Sequence, residues 1–325
     1  MSKLRAVFAI SLLLVGAILY FGIFHRGKGG PKVEVTVETG MTAHAVLDQL
    51  LEKGLIKSRI PFLVWVRIRK VDSKIKVGRY HIAQGQSAYW IVDDFIRGRT
   101  EKLKIVVPEG FASWQIAGRL ESFGFCSSAE FMQTVQEKNM EGFLFPATYE
   151  FEYGLSADDV TRRMRKEFDR RWLPEFTERA ASLGWSQKDT VTFASVIERE
   201  VRVREELPMI SAVYHNRLKK KMRLEADPTV QYALGFWKER LTYDDYQNTR
   251  SPYNTYLNSG LPPGPICSPG IDSIRAALWP VESEALFLLA QGDGRHTFSR
   301  TYRDHTNKVN SRNRIKKKNM IKRKP

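Results

Sequence analysis

The stretch that decides the fold is Ala157–Gly184, ADDVTRRMRKEFDRRWLPEFTERAASLG, followed by Ser186–Lys220, SQKDTVTFASVIEREVRVREELPMISAVYHNRLKK. Apolar residues recur at three and four positions through both runs, the period of amphipathic helices, and Ser186 stands where a helix cap is needed. This predicts a mostly helical domain. On the second run Glu198 follows Ala194 by four residues and precedes Val201 by three, which sets its carboxyl beside the apolar face. An apolar setting disfavours the charged form and raises a carboxyl pKa. Glu200, flanked on the wheel by Val196 and Phe193, is an equal rival, and periodicity alone does not separate the two.

Upstream, between Lys32 and Phe125, a different pattern recurs. The strands VEVTVETG, GRYHIAQG and LKIVVPEG each end at a glycine, Gly40, Gly85 and Gly110, and a helical run follows. Large apolar residues stand six and ten positions after each glycine: Val46 and Leu50, Ile91 and Phe95, Ile116 and Leu120. Thr42, Ser87 and Ser113 are the expected helix caps, and in the first and third copies Gly54 and Gly124 stand fourteen positions after the turn glycine, followed by Leu55 and Phe125. Such units build a small α+β module that resembles the LysM fold, which binds N-acetylglucosamine-containing glycans. Trp65, Tyr80, Tyr89, Trp90 and Trp114 are of a type that stacks on sugars, although such rings more often belong to a core.

Ala6–Phe24, AVFAISLLLVGAILYFGIF, runs 19 residues without a charge, against about 20 needed for a membrane-spanning helix. It ends in Phe24, His25, Arg26 and not in the small residues of a cleavage site. Lys3 and Arg5 before it balance Arg26 and Lys28 after it, so charge leaves orientation open. The short stub of residues 1–5 makes export of everything after the span the simpler topology. The resulting order is a cytoplasmic stub at 1–5, a transmembrane helix at 6–24, a linker at 25–31, the LysM-like module at 32–125, a helical domain at 126–310 and a basic tail at 311–325. The tail carries eight of the chain's net sixteen positive charges with no acidic residue, a pattern that suits a disordered segment drawn to anionic surfaces. No nucleic-acid recognition motif accompanies the charge, so nucleic acid is not the expected partner. Cys126 and Cys267 have neither a CxxC pattern nor a nearby histidine, which argues against a metal site. Separate, half-buried thiols are expected; a single bridge between them remains compatible with export.

The helical region carries further motifs: EGFLFPATYEF at Glu141–Phe151, ASVIERE at Ala194–Glu200, YHNRL at Tyr214–Leu218 and MRLEADPTVQYALG at Met222–Gly235. SPYNTYLNSGLPPGPICSPGIDSIRAAL at Ser251–Leu278 and GDGRHTFSRTYRDH at Gly292–His305 complete the series. In content and order these resemble the endolytic murein transglycosylases of the YceG-like, or MltG, family. The resemblance extends from the apolar run to about Asn310; the basic tail lies outside it. It implies a lyase of the bacterial cytoplasmic membrane, single-pass, with its catalytic domain on the extracytoplasmic side. Such an enzyme cuts the MurNAc–GlcNAc bond of nascent peptidoglycan strands, leaves 1,6-anhydro-MurNAc ends and terminates strand elongation beside peptidoglycan synthases. It uses no metal and no cofactor. Carried over residue by residue, the family's catalytic glutamate is Glu198. Asn216, Asn254 and Thr255 become candidates for bonding acetamido and hydroxyl groups, Tyr253 and Tyr256 for stacking on sugars, and Arg217 and His296 for meeting carboxylates. The alternative is a non-catalytic glycan-binding scaffold of the wall-synthesis machinery.

Overall fold

A computed structural model of the chain describes residues 2–25, 29–71 and 74–322, with side chains undescribed at 2–4, 6 and 315–322. Helices and three small two-stranded sheets make it a mixed α and β protein. In chain order come α1 (Ser2–Phe24), β1 (Lys32–Val37), α2 (Ala43–Glu52), α3 (Arg59–Arg69), β2 (Gly78–Ala83), α4 (Ala88–Arg97), β3 (Lys102–Val106) and α5 (Ser113–Ser122). They are followed by α6 (Ser128–Glu137), β4 (Thr148–Glu152), α7 (Ala157–Arg171), α8 (Pro174–Ser182), α9 (Gln187–Glu200), a 3-10 turn (Arg204–Glu206), α10 (Leu207–Lys219) and α11 (Asp227–Leu234). The chain closes with α12 (Tyr243–Asn248), α13 (Ile271–Leu278), β5 (Phe287–Ala290), β6 (His296–Ser299) and α14 (Tyr302–Lys322).

These elements form two compact units. The first runs to Ile105 and takes in Glu150–Ser156; the second comprises Val106–Tyr149 and the chain from Ala157. In the first, β1 and β2 pair antiparallel from Lys32 opposite Ala83 to Val37 opposite Gly78. Gln84 N–H donates to Pro31 O at 3.1 Å and Gly30 N–H to Gln84 O at 2.9 Å, so the end of the expected linker joins the sheet edge. Residues 26–28 of that linker lie outside the described residues.

The strand, turn and helix pattern takes shape three times, as β1–α2, β2–α4 and β3–α5, with Gly40, Gly85 and Gly110 at φ 82°, 80° and 75°, where a Cβ is penalised. All six apolar positions of the pattern are fully buried. Thr42 caps α2, accepting from Ala45 N–H at 3.2 Å; Ser87 occupies the cap of α4 without a side-chain bond. For α5 the cap position is Ala112, and Ser113 is already helical. The third copy is divided: β3 lies in the first unit as far as Ile105, whereas its turn and α5 belong to the second. The reason is local. Gly110 N–H donates to Ser268 O at 2.9 Å and Ser268 N–H to Phe111 O at 2.8 Å, tying the turn before α5 to the Pro- and Gly-rich loop before α13.

The core of the second unit surrounds α9. Thr190 to Ile197 are buried without interruption, so this helix is enclosed on all sides between its first and last turns. Ser186 caps it in a reciprocal box: Ser186 Oγ accepts from Asp189 N–H at 3.1 Å, and Asp189 Oδ2 accepts from Ser186 N–H at 2.9 Å. Gly142, at φ 81°, lets the Glu141 segment pass close to the loop, because a Cβ there would lie 2.3 Å from Pro265 Cβ.

Two further expectations change. The backbone of α14 is helical through Lys322, across most of the tail whose charge suggested disorder; Thr301 starts it by accepting from Asp304 N–H at 3.1 Å, and Lys and Arg are good helix formers. Cys126 is half-buried, whereas Cys267 is fully enclosed with Sγ 3.4 Å from Ser195 O; both are free thiols.

Candidate active site

Where α9 leaves the core, Glu198 meets the start of α13. Its Oε2 accepts from Gly270 N–H at 3.0 Å and from Ser273 Oγ at 2.6 Å, while Oε1 lies 3.5 Å from an Arg204 guanidinium nitrogen. The same guanidinium pairs with Glu109. Gly270 is the cap residue of α13 and Ser273 its third residue, so the carboxyl sits on a helix N-terminus, a setting that favours its anion. Burial acts in the opposite sense, because only 9% of the side chain is exposed. Burial prevails: the carboxyl is held above its ordinary value, with Asp272 adding to the rise and Ser273, Gly270 and Arg199 working against it. The rise favours the acid form, beside two donors already aimed at the carboxylate that loss of the proton would create.

Glu200, the rival on the helical wheel, faces another environment. Its Oε1 accepts from Tyr214 OH at 2.8 Å, and burial together with the charge of Asp227 pushes its pKa up to about 7. It is enclosed by α10 and α11, away from the donors that hold Glu198.

Next to Glu198, the Arg199 guanidinium lies 3.9 Å over the Trp237 ring and donates to Gly110 O at 3.3 Å. Ring contacts continue from Trp237 to Trp114 at 5.4 Å, from Trp114 to Tyr232 at 5.2 Å and from Tyr232 to Tyr253 at 4.8 Å, all half-exposed. Tyr232 OH donates to Glu141 at 3.2 Å, Ser113 N–H donates to the same carboxyl at 3.2 Å, and burial raises the Glu141 pKa to about 7. An aromatic wall therefore connects two protonatable carboxyls.

The YceG-like family pattern matches residues 35–311. The chain belongs to the YceG-like family. Among its relatives, a Bacillus subtilis (strain 168) protein named endolytic murein transglycosylase is 33% identical over 300 residues, 84% of this chain and 82% of that protein. A Streptococcus pneumoniae serotype 2 protein of the same name is 24% identical over 352 residues, 93% of this chain and 64% of that longer protein. The 2.6 Å crystal structure of a YceG-like protein from Listeria monocytogenes is similar in fold, with TM-score 0.58 and 31% identity, covering 85% of this chain and 98% of that one.

The other candidate residues of this YceG-like chain are spread over the second unit and engaged internally. Asn216 Nδ2 donates to Ser283 O at 2.6 Å and Ala285 O at 3.0 Å. Arg217 donates to the carbonyls of Leu286, Arg223 and Leu224 and to the Glu225 carboxylate. Asn254 Nδ2 donates to Tyr246 O and Thr249 O, and Thr255 Oγ1 accepts from Ala226 N–H at 3.0 Å and shares a hydrogen bond with Thr229 Oγ1 at 2.8 Å. Tyr256 OH donates to Asp227 at 2.6 Å, and His296 Nδ1 is 2.8 Å from Glu206, with the imidazole nearly buried. Only Tyr253 presents a half-exposed ring to the wall beside Glu141. Sequence reading missed Gly270, Ser273, Arg204, Glu109, Glu141 and Trp237 as site residues. Gly270 and Ser273 lie 72 and 75 residues from Glu198, so no local pattern relates them to it.

Proposed function

We propose that this chain is a membrane-anchored endolytic lytic transglycosylase that cuts MurNAc–GlcNAc bonds of nascent peptidoglycan strands and so ends their elongation. The observation that carries the reading is the Glu198 carboxyl, its pKa raised by burial, faced by Ser273 and Gly270. Its support is the family of relatives named as murein transglycosylases.

Glu198 gives its proton to the oxygen leaving C1 of N-acetylmuramic acid, while positive charge develops on the ring. The carboxylate so formed is stabilised in place by the Ser273 hydroxyl and the Gly270 N–H, donors that need no reorganisation. It then accepts the proton of the C6 hydroxyl, whose oxygen attacks C1 and closes the 1,6-anhydro ring. One carboxyl serves both steps. A hydrolase would need a second to activate water; of the nearby carboxyls, Glu109 is tied to Arg204 and Asp272 is exposed at the first turn of α13. Tyr253, with Trp114 and Trp237, offers ring faces to the sugars, whereas Asn216, Arg217, Asn254, Thr255, Tyr256 and His296 bond to other groups of the chain. The β1–α2–α3–β2 arrangement supports a LysM-like assignment for the first unit.

Endolytic activity is tested by incubating the full chain in detergent with uncross-linked glycan strands and sizing the products. Internal cuts that shorten the strands progressively support it; tight binding without shortening would instead mark a glycan-binding scaffold. The pH dependence follows from Glu198. Because the first step needs the protonated acid, turnover should fall as pH rises through its elevated pKa. Ser273→Ala removes a hydrogen bond that favours the anion, so the alkaline limb should move to higher pH while the plateau rate drops. A limb that stayed in place would separate Ser273 from the titrating group.

Anchoring rests on α1, whose Val7–Phe24 segment is long and apolar enough to cross a membrane. An alkaline phosphatase fused to the C terminus should be active in cells and a cytoplasmic reporter at the same place silent. The opposite pair of results would reverse the topology.

A further inference from the structure

We propose that α3 of the first unit is an interfacial helix whose exposed apolar stripe docks on the anionic membrane surface beside α1, so that the unit lies on the bilayer that anchors it. The proposal rests on the reading of α1 as the span. The end of α1 packs directly on the unit: a Cβ on Gly22 would lie 2.6 Å from Pro61, and the Phe24 ring is 5.2 Å from Trp65 and 5.5 Å from Tyr89. Trp65 meets Tyr89 at 5.5 Å and Tyr89 meets Trp90 at 5.1 Å. Four aromatic rings are thereby gathered where the apolar segment ends, the level at which Trp and Tyr prefer to sit in membrane proteins.

The helix itself has two neighbouring faces. Pro61 and Trp65 touch α1, while Phe62 and Val66 are buried in the unit's core. The stripe of Ile60, Val64 and Ile68, spaced four residues apart, falls on a common face next to the α1 contact, and Ile60 and Ile68 are each 62% exposed. Single exposed isoleucines are ordinary. Two on a common stripe, flanking a membrane helix and bordered by cations, are not explained by the folded unit. Lys57, Arg59, Arg67, Arg69 and Lys70 stand on or beside α3 with no acidic residue between Lys57 and Lys70, and all are exposed. Arg59 pairs with Asp48, and Arg69 lies 5.8 Å over Trp65. Apolar stripe, cationic border and aromatic neighbours are the composition of a helix that lies in the headgroup region, where cations are attracted to anionic lipid. A cavity of about 740 Å³ between α1 and the unit, lined by Leu14, Ile18, Phe21 and Pro61 with Lys57 and Gln86, is of the same amphipathic kind and suits a lipid. On this assignment Trp65, Tyr89 and Trp90 face lipid and not sugar.

The test uses the full chain in bilayers containing phosphatidylglycerol, with Cys126→Ser removing the half-buried thiol and the enclosed Cys267 kept. Spin labels on Ile60→Cys, Ile68→Cys, Leu13→Cys in the span and Tyr243→Cys in water are compared by power saturation with oxygen and a water-soluble nickel chelate. Labels at 60 and 68 should show an oxygen-to-nickel collision ratio several-fold above that at 243 and approaching that at 13. A ratio at 60 and 68 equal to that at 243 overturns the docking while leaving the span intact. Poor access to both reagents there would mean a protein partner or a second copy covers α3, and also overturns it. A water-like ratio at 13 refutes the span and the docking together.

Discussion

Glu198→Gln should abolish measurable cleavage of glycan strands while leaving the fold intact. Glutamine keeps an oxygen for the Ser273 and Gly270 donors but neither gives nor takes a proton. General acid and general base assistance are each worth about 10²- to 10⁴-fold, and the proposed mechanism assigns both to one side chain, so the loss should exceed that of any other single carboxyl. Glu200→Gln should be much milder, since Glu200 accepts from Tyr214 and its raised pKa already makes a neutral group there tolerable. Turnover in both variants, measured beside their circular dichroism, checks the assignment. Comparable activity of the Glu198→Gln protein would remove this residue from the mechanism.

Arg217→Gln should unfold the second unit more easily and should not primarily weaken substrate binding. The guanidinium is nearly buried and donates to Leu286 O at 2.7 Å, Leu224 O at 2.8 Å, Arg223 O at 3.2 Å and Glu225 at 3.0 Å, joining α10 to the start of β5 and to the loop before α11. Hydrogen bonds to a charged group are worth about 1.5–3 kcal/mol each, and their removal strands buried carbonyls. Glu225 is half-exposed and water compensates part of its loss, which brings the expected destabilisation to about 3 kcal/mol. For a domain of this size that lowers Tm by roughly 6–12 °C. An unchanged Tm with a raised KM would instead make Arg217 a substrate contact.

Much of the architecture was legible because it is local. The Ser186 cap, the glycine turns and the paired apolar positions six and ten residues later each depend on a few neighbouring residues, and all of those apolar side chains are buried. The choice between Glu198 and Glu200 was not legible in the periodicity, and only the family resemblance named Glu198. Helical periodicity discriminates faces only when a helix has a wet side, and α9 has none from Thr190 to Ile197. The two donors to Glu198 come from the start of α13, and Glu109, from the turn before α5, reaches it only through Arg204; tertiary packing brings these groups together and leaves no mark at short spacing. The same limit applied to Asn216, Arg217 and His296, whose hydrogen bonds to carbonyls and to the carboxylates of Glu225 and Glu206 are not visible at short spacing. The division after Ile105 was hidden for a related reason, since the third copy repeats the pattern of the first two, yet its turn and helix belong to a different unit from most of its strand.

The most direct test of the one-carboxyl mechanism is mass spectrometry of the ends released from glycan strands cut in ¹⁸O-enriched water. Attack by the C6 hydroxyl requires muramic ends one water lighter than reducing ends and free of the heavy isotope. Reducing ends carrying ¹⁸O would show that water is the nucleophile, and would contradict the assignment of both proton transfers to Glu198.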